Sequence, residues 1–329
     1  MRQSTKRPST PLRKFLVLLN SLLAVILALM LGVTVLAHNL LNQMNRVDAP
    51  TSEQSFSDIL LDAISKNDSE SEKLLGSDKD ITNILLIGQD RREGEGRARS
   101  DAMILVTINK NTNNIVLTSF LRDMYVQIPG YGSNRINASY AWGGMELLNK
   151  TLEENFGIYV DGNVEVDFEQ FSGIVDLVGG VEINLRDDEA RTINEEIGGN
   201  LVGGNQRLTG AQALRYVRIR KLDADGDFSR TQRQRTLINA IIGQVKNAGP
   251  VKLLSIVDDV LPMITTDMSN TQILSLATSV IPVLTGTQII SQRIPADGTY
   301  ALTMVDGMSV LKPDLEANRQ LLWNTLSGS

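Results

Sequence analysis

The sequence contains no cysteine and a single histidine, His38, in 329 residues. Without thiols there is no disulfide framework, no iron–sulfur cluster and no cysteine nucleophile. One imidazole excludes Ser-His-Asp triads, His-rich zinc sites and imidazole general bases. Any chemistry must therefore come from carboxylates, arginine, lysine, hydroxyls or a metal held by oxygen. Internal repeats are also absent, and no linker-like gap interrupts residues 80 to 327. The apolar fraction of 42% and charged fraction of 21% are those of a folding chain. The net charge of −6 is unevenly spread, because the first fourteen residues carry only positive side chains: Arg2, Lys6, Arg7, Arg13 and Lys14.

Phe15 to Ala37 reads FLVLLNSLLAVILALMLGVTVLA, uncharged throughout. As a helix it would run roughly 34 Å, enough to cross a hydrocarbon core of about 30 Å. The run exceeds a signal-peptide core of roughly 7–15 residues, and Leu36-Ala37-His38 makes a poor cleavage site. It predicts an uncleaved transmembrane helix over 15–37. The basic residues before it keep residues 1–14 in the cytoplasm and place everything after residue 38 outside. The expected localisation is thus the cell membrane, single-pass, with an extracytoplasmic domain.

Residues 38–80, rich in Ser, Asp, Glu and Asn, read as a stalk. Residues 81–327 read as one domain. ITNILLIG is a short apolar run ending in glycine. AMILVTIN and NNIVLTSF are β-branched runs joined at Lys110–Asn113 as a hairpin. Helical periodicity covers Ala138–Phe156, followed by a strand at Val164–Val166, a helix in DFEQFSGIVDLVGG and a strand in VEINL. TGAQALRYVR and DFSRTQRQRTLINAIIGQVK read as helices. Further helical patterns cover 251–264, 270–282 and 313–326, with strands at 287–293 and 299–304. The fold class is α/β, a mixed central β-sheet sandwiched by α-helices.

Leu214 to Arg235, LRYVRIRKLDADGDFSRTQRQR, concentrates six arginines, Lys221 and three aspartates. Arg218 and Arg220 point to one side if the piece is extended and diverge if it ends a helix. Asp227, Arg230 and Gln234 share one helical stripe near a helix start, where free N–H groups and the dipole favour an anion. Guanidinium forks match phosphate oxygens. A solvated, salt-bridged helix face would show the same composition. Arg122 and Asp123 follow the strand end LTSF, Asp90 closes ILLIGQD, and Arg99 and Asp101 precede the next strand. Aspartates at neighbouring strand ends could share Mg²⁺, although each alone reads as a turn or cap residue.

LLIGQDRR, RSDAMILV, SFLRDMYVQIPG, RINASYAWGG, VDLVGGVEINL and YVRIR…DGDFSRTQRQR together resemble the LytR–CpsA–Psr family in order and approximate spacing. The likeness is strong over about 80–245 and weaker to 327. Arg135 stands where relatives commonly have Lys, and Ser229 where they often have Gly. The resemblance implies a phosphotransferase that moves an anionic glycopolymer, such as teichoic acid or capsule, from a polyprenyl-diphosphate carrier to peptidoglycan and releases polyprenyl phosphate. It implies that Arg122, Arg218, Arg220 and Arg230 bind the diphosphate, Asp90 and Asp101 hold Mg²⁺ (or Mn²⁺), and Gln234 ties Arg230 in place. Asp227 would orient arginines or take the acceptor's proton, so Arg122, Asp227 and Arg230 form the catalytic set. The expected partners are the lipid-linked glycan, peptidoglycan and the bilayer.

A hydrolase that cleaves the same diphosphate with water would use the same residues. A nucleic-acid-binding regulator is disfavoured, because the basic segment lies across the membrane from the genome. A non-catalytic wall-binding scaffold would tolerate loss of Arg122 or Arg220.

Overall fold

In the computed structural model the residues described are 45–46, 80–89, 99–220, 222–223, 227–247, 256, 259–269, 272–273, 276 and 288–328. The expected membrane span at 15–37, Asp90 and most of the helical pattern at 270–282 lie outside them. Among the described residues no helix is long and apolar enough to cross a membrane.

The central sheet grows from the apolar runs. Strand β1 is Asn45–Arg46, β2 Ile81–Gln89, β3 Ser100–Asn109 and β4 Asn114–Phe120. Most residues of β3 and β4 are buried, as a strand covered on both faces requires. The β3–β4 hairpin turns where expected. Asn109 Oδ1 accepts from the N–H groups of Asn111 and Thr112 at 2.9 and 3.1 Å, and Asn113 takes the left-handed φ of 53° that asparagine tolerates.

A small hairpin, β5 (Tyr125–Ile128) and β6 (Gly132–Arg135), leads into helix α1, Asn137–Phe156. Gly144 breaks α1 with φ 66°, ψ −152°, a conformation open to glycine alone. Strand β7 (Gly162–Asp167) runs directly into α2 (Phe168–Leu177), because Asp167 and Gln170 cap one another's backbone N–H groups. Then follow β8 (Val181–Leu185), α3 (Asp187–Ile197), β9 (Gly204–Leu208), α4 (Gly210–Val217) and α5 (Asp227–Asn247). A 3₁₀ turn at Leu261–Met263 precedes β10 (Thr265–Thr266). The chain closes with β11 (Gln288–Ile294), β12 (Tyr300–Val305), β13 (Met308–Pro313) and α6 (Leu315–Ser327).

The main sheet has the order β1-β10-β7-β2-β3-β4-β11. Pairs β2–β7 and β4–β11 are parallel, whereas β2–β3, β3–β4 and β7–β10 are antiparallel, giving the mixed sheet expected. One face carries Leu85, Ile87, Leu105 and Val116 under Tyr140, Leu148 and Leu152 of α1 and Leu322 and Leu326 of α6. The other face presents Ile104, Ile108, Ile115 and Leu117 to Ile238 of α5. The far side of α5, with Leu237, Ala240 and Ile241, joins a further cluster built by α2, α3, α4 and the β8–β9 hairpin. Helix α5 is therefore covered on two sides, and its Arg230, Arg233 and Arg235 are buried between packed layers.

Candidate active site

The strand directions bring the ends of β2, β4 and β11 and the start of β3 to one edge of the sheet. The turn after β4, which carries Arg122 and Asp123, is tied to its surroundings by backbone. Leu121 N–H donates to Ile294 of β11 at 2.8 Å, Leu311 N–H of β13 to Asp123 at 3.0 Å, and Ile136 N–H to Met124 at 2.8 Å. Asn137 N–H, at the start of α1, reaches the Arg122 carbonyl at 3.3 Å.

Asp101 is placed by a register fault. Gly88 pairs with Ala102 but Gln89 pairs with Ser100, so Asp101 is the extra residue of a β-bulge. A bulge re-aims a side chain and frees a backbone group. The Asp101 carbonyl here accepts from Arg230 Nη2 at 3.2 Å, while its carboxylate faces the arginines.

The ionic cluster has two carboxylates at its centre. Arg122 Nη1 donates to Asp101 Oδ1 at 2.6 Å, and its Nε lies 3.4 Å from Asp227 Oδ1 and 3.7 Å from Asp123 Oδ2. Arg230, 2% exposed, places Nη2 at 2.7 Å from Asp227 Oδ1 and Nη1 at 3.8 Å from Asp101 Oδ1. Arg220 Nη2 approaches Asp101 Oδ2 at 3.9 Å. Arg135 Nε sits 3.3 Å from Asp123 Oδ1.

Burial opposes the charge on Arg122, but Asp227, Asp101 and Asp123 outweigh it and raise its pKa. Arg230 goes the other way: burial lowers its pKa against the pull of Asp227, and the neighbouring Arg122 and Arg220 add to the fall. Both remain guanidinium at any physiological pH.

The cluster retains unspent capacity. Arg122 Nε, Arg230 Nε and Asp227 Oδ2 are buried without a hydrogen-bond partner among the described residues. Unmet donors on adjacent guanidiniums call for an anion, whose oxygens would satisfy them and offset their mutual repulsion. An unpartnered carboxylate oxygen beside them can receive a proton or a cation. Among the described residues Asp101 Oδ2 is approached only by Arg220, at 3.9 Å, so with Asp227 Oδ2 two carboxylate oxygens of the cluster are open to a hard cation. This donor chemistry fits Mg²⁺. Among the described residues no group of three or more acidic residues could hold a metal, and Asp90 lies outside them.

Of the residues singled out from sequence, Arg122, Asp101, Arg220, Asp227 and Arg230 meet in this cluster. Arg218 closes α4 with helical backbone (φ −91°, ψ −5°) and is exposed, with buried Ile219 between it and Arg220. That is the helix-end case, not the extended one. The tie expected between Gln234 and Arg230 is not made: among the described residues Gln234 Oε1 is buried without a partner, as is Arg230 Nε.

Sequence reasoning missed a supporting clasp. Arg233, 4% exposed, donates from Nε to Glu189 at 2.8 Å, from Nη1 to the Ile219 carbonyl at 3.2 Å, and from Nη2 to Asp223. Arg186 closes it from α3's N-terminal side, 2.8 Å from Asp223. The clasp holds residues 219 and 223 and so fixes both ends of the segment that carries Arg220. The 3-residue spacing of Arg230 and Arg233 was visible, but nothing in sequence says which arginine faces the site.

The fold and site thus define an α/β domain with a mixed sheet and a partly buried arginine–aspartate cluster at one sheet edge. This chain belongs to the LytR_cpsA_psr family, whose model matches residues 36–326. It is similar to a polyisoprenyl-teichoic acid–peptidoglycan teichoic acid transferase, TagU, of Bacillus mycoides, with 40% identity over 189 residues, 57% of this chain and 59% of that protein. The TagU of Oceanobacillus iheyensis is 37% identical over 193 residues, 57% of this chain and 58% of that one. The match thus spans under two thirds of the length of these curated relatives. Among solved structures, TagT with bound octaprenyl pyrophosphate lipid superposes with a TM-score of 0.60 at 28% identity, covering 85% of this chain and 99% of that one.

Proposed function

We propose that this chain is a phosphotransferase that moves an anionic glycopolymer from a polyprenyl-diphosphate carrier to peptidoglycan. It would be held at the membrane by residues 15–37, with residues 1–14 in the cytoplasm and the domain from residue 81 outside. The observation that carries the reading is the convergence of Arg122, Arg220 and Arg230 on Asp101 and Asp227 with guanidinium donors still unmet. The family's transferases and the lipid-bound TagT support it by likeness.

In this reading the arginines bind the diphosphate and spread the charge that builds on the transferring phosphoryl group. Phosphoryl transfer depends on positioning and neutralisation more than on covalent help, which suits a site lacking cysteine and histidine. The acceptor hydroxyl oxygen forms a new bond to the sugar-linked phosphorus as the bond from that phosphorus to the bridging oxygen breaks. Polyprenyl monophosphate leaves with the bridging oxygen. The hydroxyl proton passes to Asp227, whose Oδ2 is unpartnered and buried beside Arg122 and Arg230. Asp101 and Asp90 would hold Mg²⁺ (or Mn²⁺), which supplies further neutralisation of the diphosphate when bound.

The test is transfer from a synthetic polyprenyl-diphosphate sugar to peptidoglycan fragments by the full chain with Mg²⁺, wild type beside Arg220→Ala. Acceptor-dependent coupling that the substitution abolishes is the expected result. Lipid monophosphate released equally with and without acceptor would make the chain a hydrolase. Donor binding without turnover would leave a binding protein.

A further inference from the structure

One turn beyond the catalytic cluster, α5 buries a further cation, Arg235, that the proposed reaction leaves unused. Arg235 is 3% exposed, and its Nε and Nη1 have no hydrogen-bond partner among the described residues. Its remaining nitrogen donates to Gln232 Oε1 at 2.6 Å, and no described carboxylate pairs with it. Arg235 lies on the α5 stripe between Phe228 and Asn239, both of which touch β11. The Arg293 guanidinium covers the Phe228 ring at 4.7 Å, and Asn239 Nδ2 approaches Ser291 Oγ at 3.3 Å. Arg293 pairs in register with Ser119 of β4, so the two side chains share the sheet face under α5. Arg293 Nε and Ser119 Oγ are likewise buried without partners. Arg293 gives Nη2 to Asp297, a largely exposed residue, which marks the solvent side of the group.

We propose that Arg235 and Arg293, with the Ser119 hydroxyl, form a second phosphate-binding subsite, distinct from the Arg122–Arg220–Arg230 cluster. Three guanidinium nitrogens and a hydroxyl, unmet among the described residues and facing one interface, suit the oxygens of a single phosphate. Arg235, buried with no described carboxylate to pair it, is costly to hold beside Arg293, and a bound anion offsets both its desolvation and the repulsion. Burial, and then repulsion from Arg293, push the Arg235 pKa down to about 10, the direction an unfilled cationic site should show. The subsite rests on the transferase reading for its ligand: it would take a second phosphate group of the same donor, either in the diphosphate or within the polymer.

The experiment is calorimetric titration of the full chain in detergent with inorganic phosphate, using wild type, Arg235→Gln, Arg293→Gln and Arg220→Ala, with melting temperatures taken alongside. Arg293 is partly exposed, so Arg293→Gln keeps the test open where the buried Arg235→Gln misfolds. Two classes of phosphate site are expected in the wild type. Either glutamine variant should weaken one class by about tenfold or more, the effect of losing a charge-assisted bond pair. Arg220→Ala should spare that class and weaken the other. Displacement of phosphate from both classes by octaprenyl diphosphate would identify the diphosphate as the occupant. Displacement from the Arg235 class alone by glycerol phosphate oligomers would identify the polymer.

Wild-type phosphate binding in folded Arg235→Gln and Arg293→Gln, or displacement by neither compound, would overturn the subsite. The transferase reading would then survive if Arg220→Ala still lost its own class. No phosphate binding at all in the wild type would count against both.

Discussion

The contrast between Arg220 and Arg230 shows how neighbouring arginines come to do different work. Arg220 is half exposed and touches Asp101 only at 3.9 Å, so its loss removes little native structure. Arg220→Ala should lower transfer at least about 10²-fold, as removal of a charge-stabilising donor does, with the melting temperature close to wild type. Arg230 is buried against Asp227 and Asp101. Arg230→Ala should abolish transfer and also cost about 2 kcal/mol of stability, because it removes a buried side chain together with its charge-assisted bond to Asp227 and its bond to the Asp101 carbonyl. Chemical denaturation beside the transfer assay separates the two cases. Chelation with EDTA should stop transfer and added Mg²⁺ restore it, and Asp101→Asn should raise the Mg²⁺ needed for half-maximal rate. Unchanged turnover in EDTA would remove the metal from the proposal.

At the scale of elements, the clasp between α5, α3 and the 219–223 segment decides where Arg220 stands. Glu189→Gln removes the charge facing Arg233 Nε, and Arg233→Lys replaces a three-way fork with a point charge. Both should raise the donor KM severalfold while leaving the acceptor KM unchanged, as measured by steady-state kinetics. A clasp that was only structural would instead lower stability with KM constant.

Helix α3 and strand β9, which complete this region, escaped the sequence reading for physical reasons. DDEARTINEEI buries chiefly Glu189, Ala190 and Ile193, too little for a visible apolar stripe, and GNQRL buries only Leu208. Their place comes from partners distant in sequence. The strands β2, β3 and β4 and the helices α1, α2, α4 and α5 were legible because each carries its own apolar run, cap or hairpin turn.

Across the whole molecule, the sheet has a chemical end and a structural end. At the pole opposite the arginine cluster, Asp161 accepts from Asn83 N–H at 2.7 Å, and Asn83 is held in turn by Thr107 and Tyr159. Burial pushes the Asp161 pKa up to about 6, against the backbone hydrogen bond that lowers it. The folded state therefore holds this proton more tightly than the unfolded chain. Its stability contribution is fully present below about pH 4, near the ordinary carboxylate pKa, and is lost as pH rises through about 6. Asp161→Asn should remove that downward slope between pH 4 and 6 in urea unfolding midpoints, and an identical slope in the variant would refute the assignment. At the membrane level, a periplasm-type reporter such as alkaline phosphatase fused after Ser329 should be active, whereas a cytoplasm-dependent reporter fused there should be dark. The reverse pattern would invert the proposed topology.

The sequence by itself determined the alternatives for the chemistry and most of the sheet. Composition removed thiol and imidazole mechanisms, period-2 and period-3.6 runs located the main elements, and motif order pointed to the family. These are local properties, set by the nearest few residues. Tertiary structure alone decided which arginines share a site. Arg230, Arg233 and Arg235 lie within six residues of one helix. Yet one meets Asp101 and Asp227, one clasps Glu189 and Asp223, and one is buried toward Arg293. The same holds for Asp101, aimed by a bulge that exists only once β2 and β3 pair. Helix rotation turns each successive residue by about 100°, so neighbours in sequence face different layers, and only the packing of those layers says what each one meets.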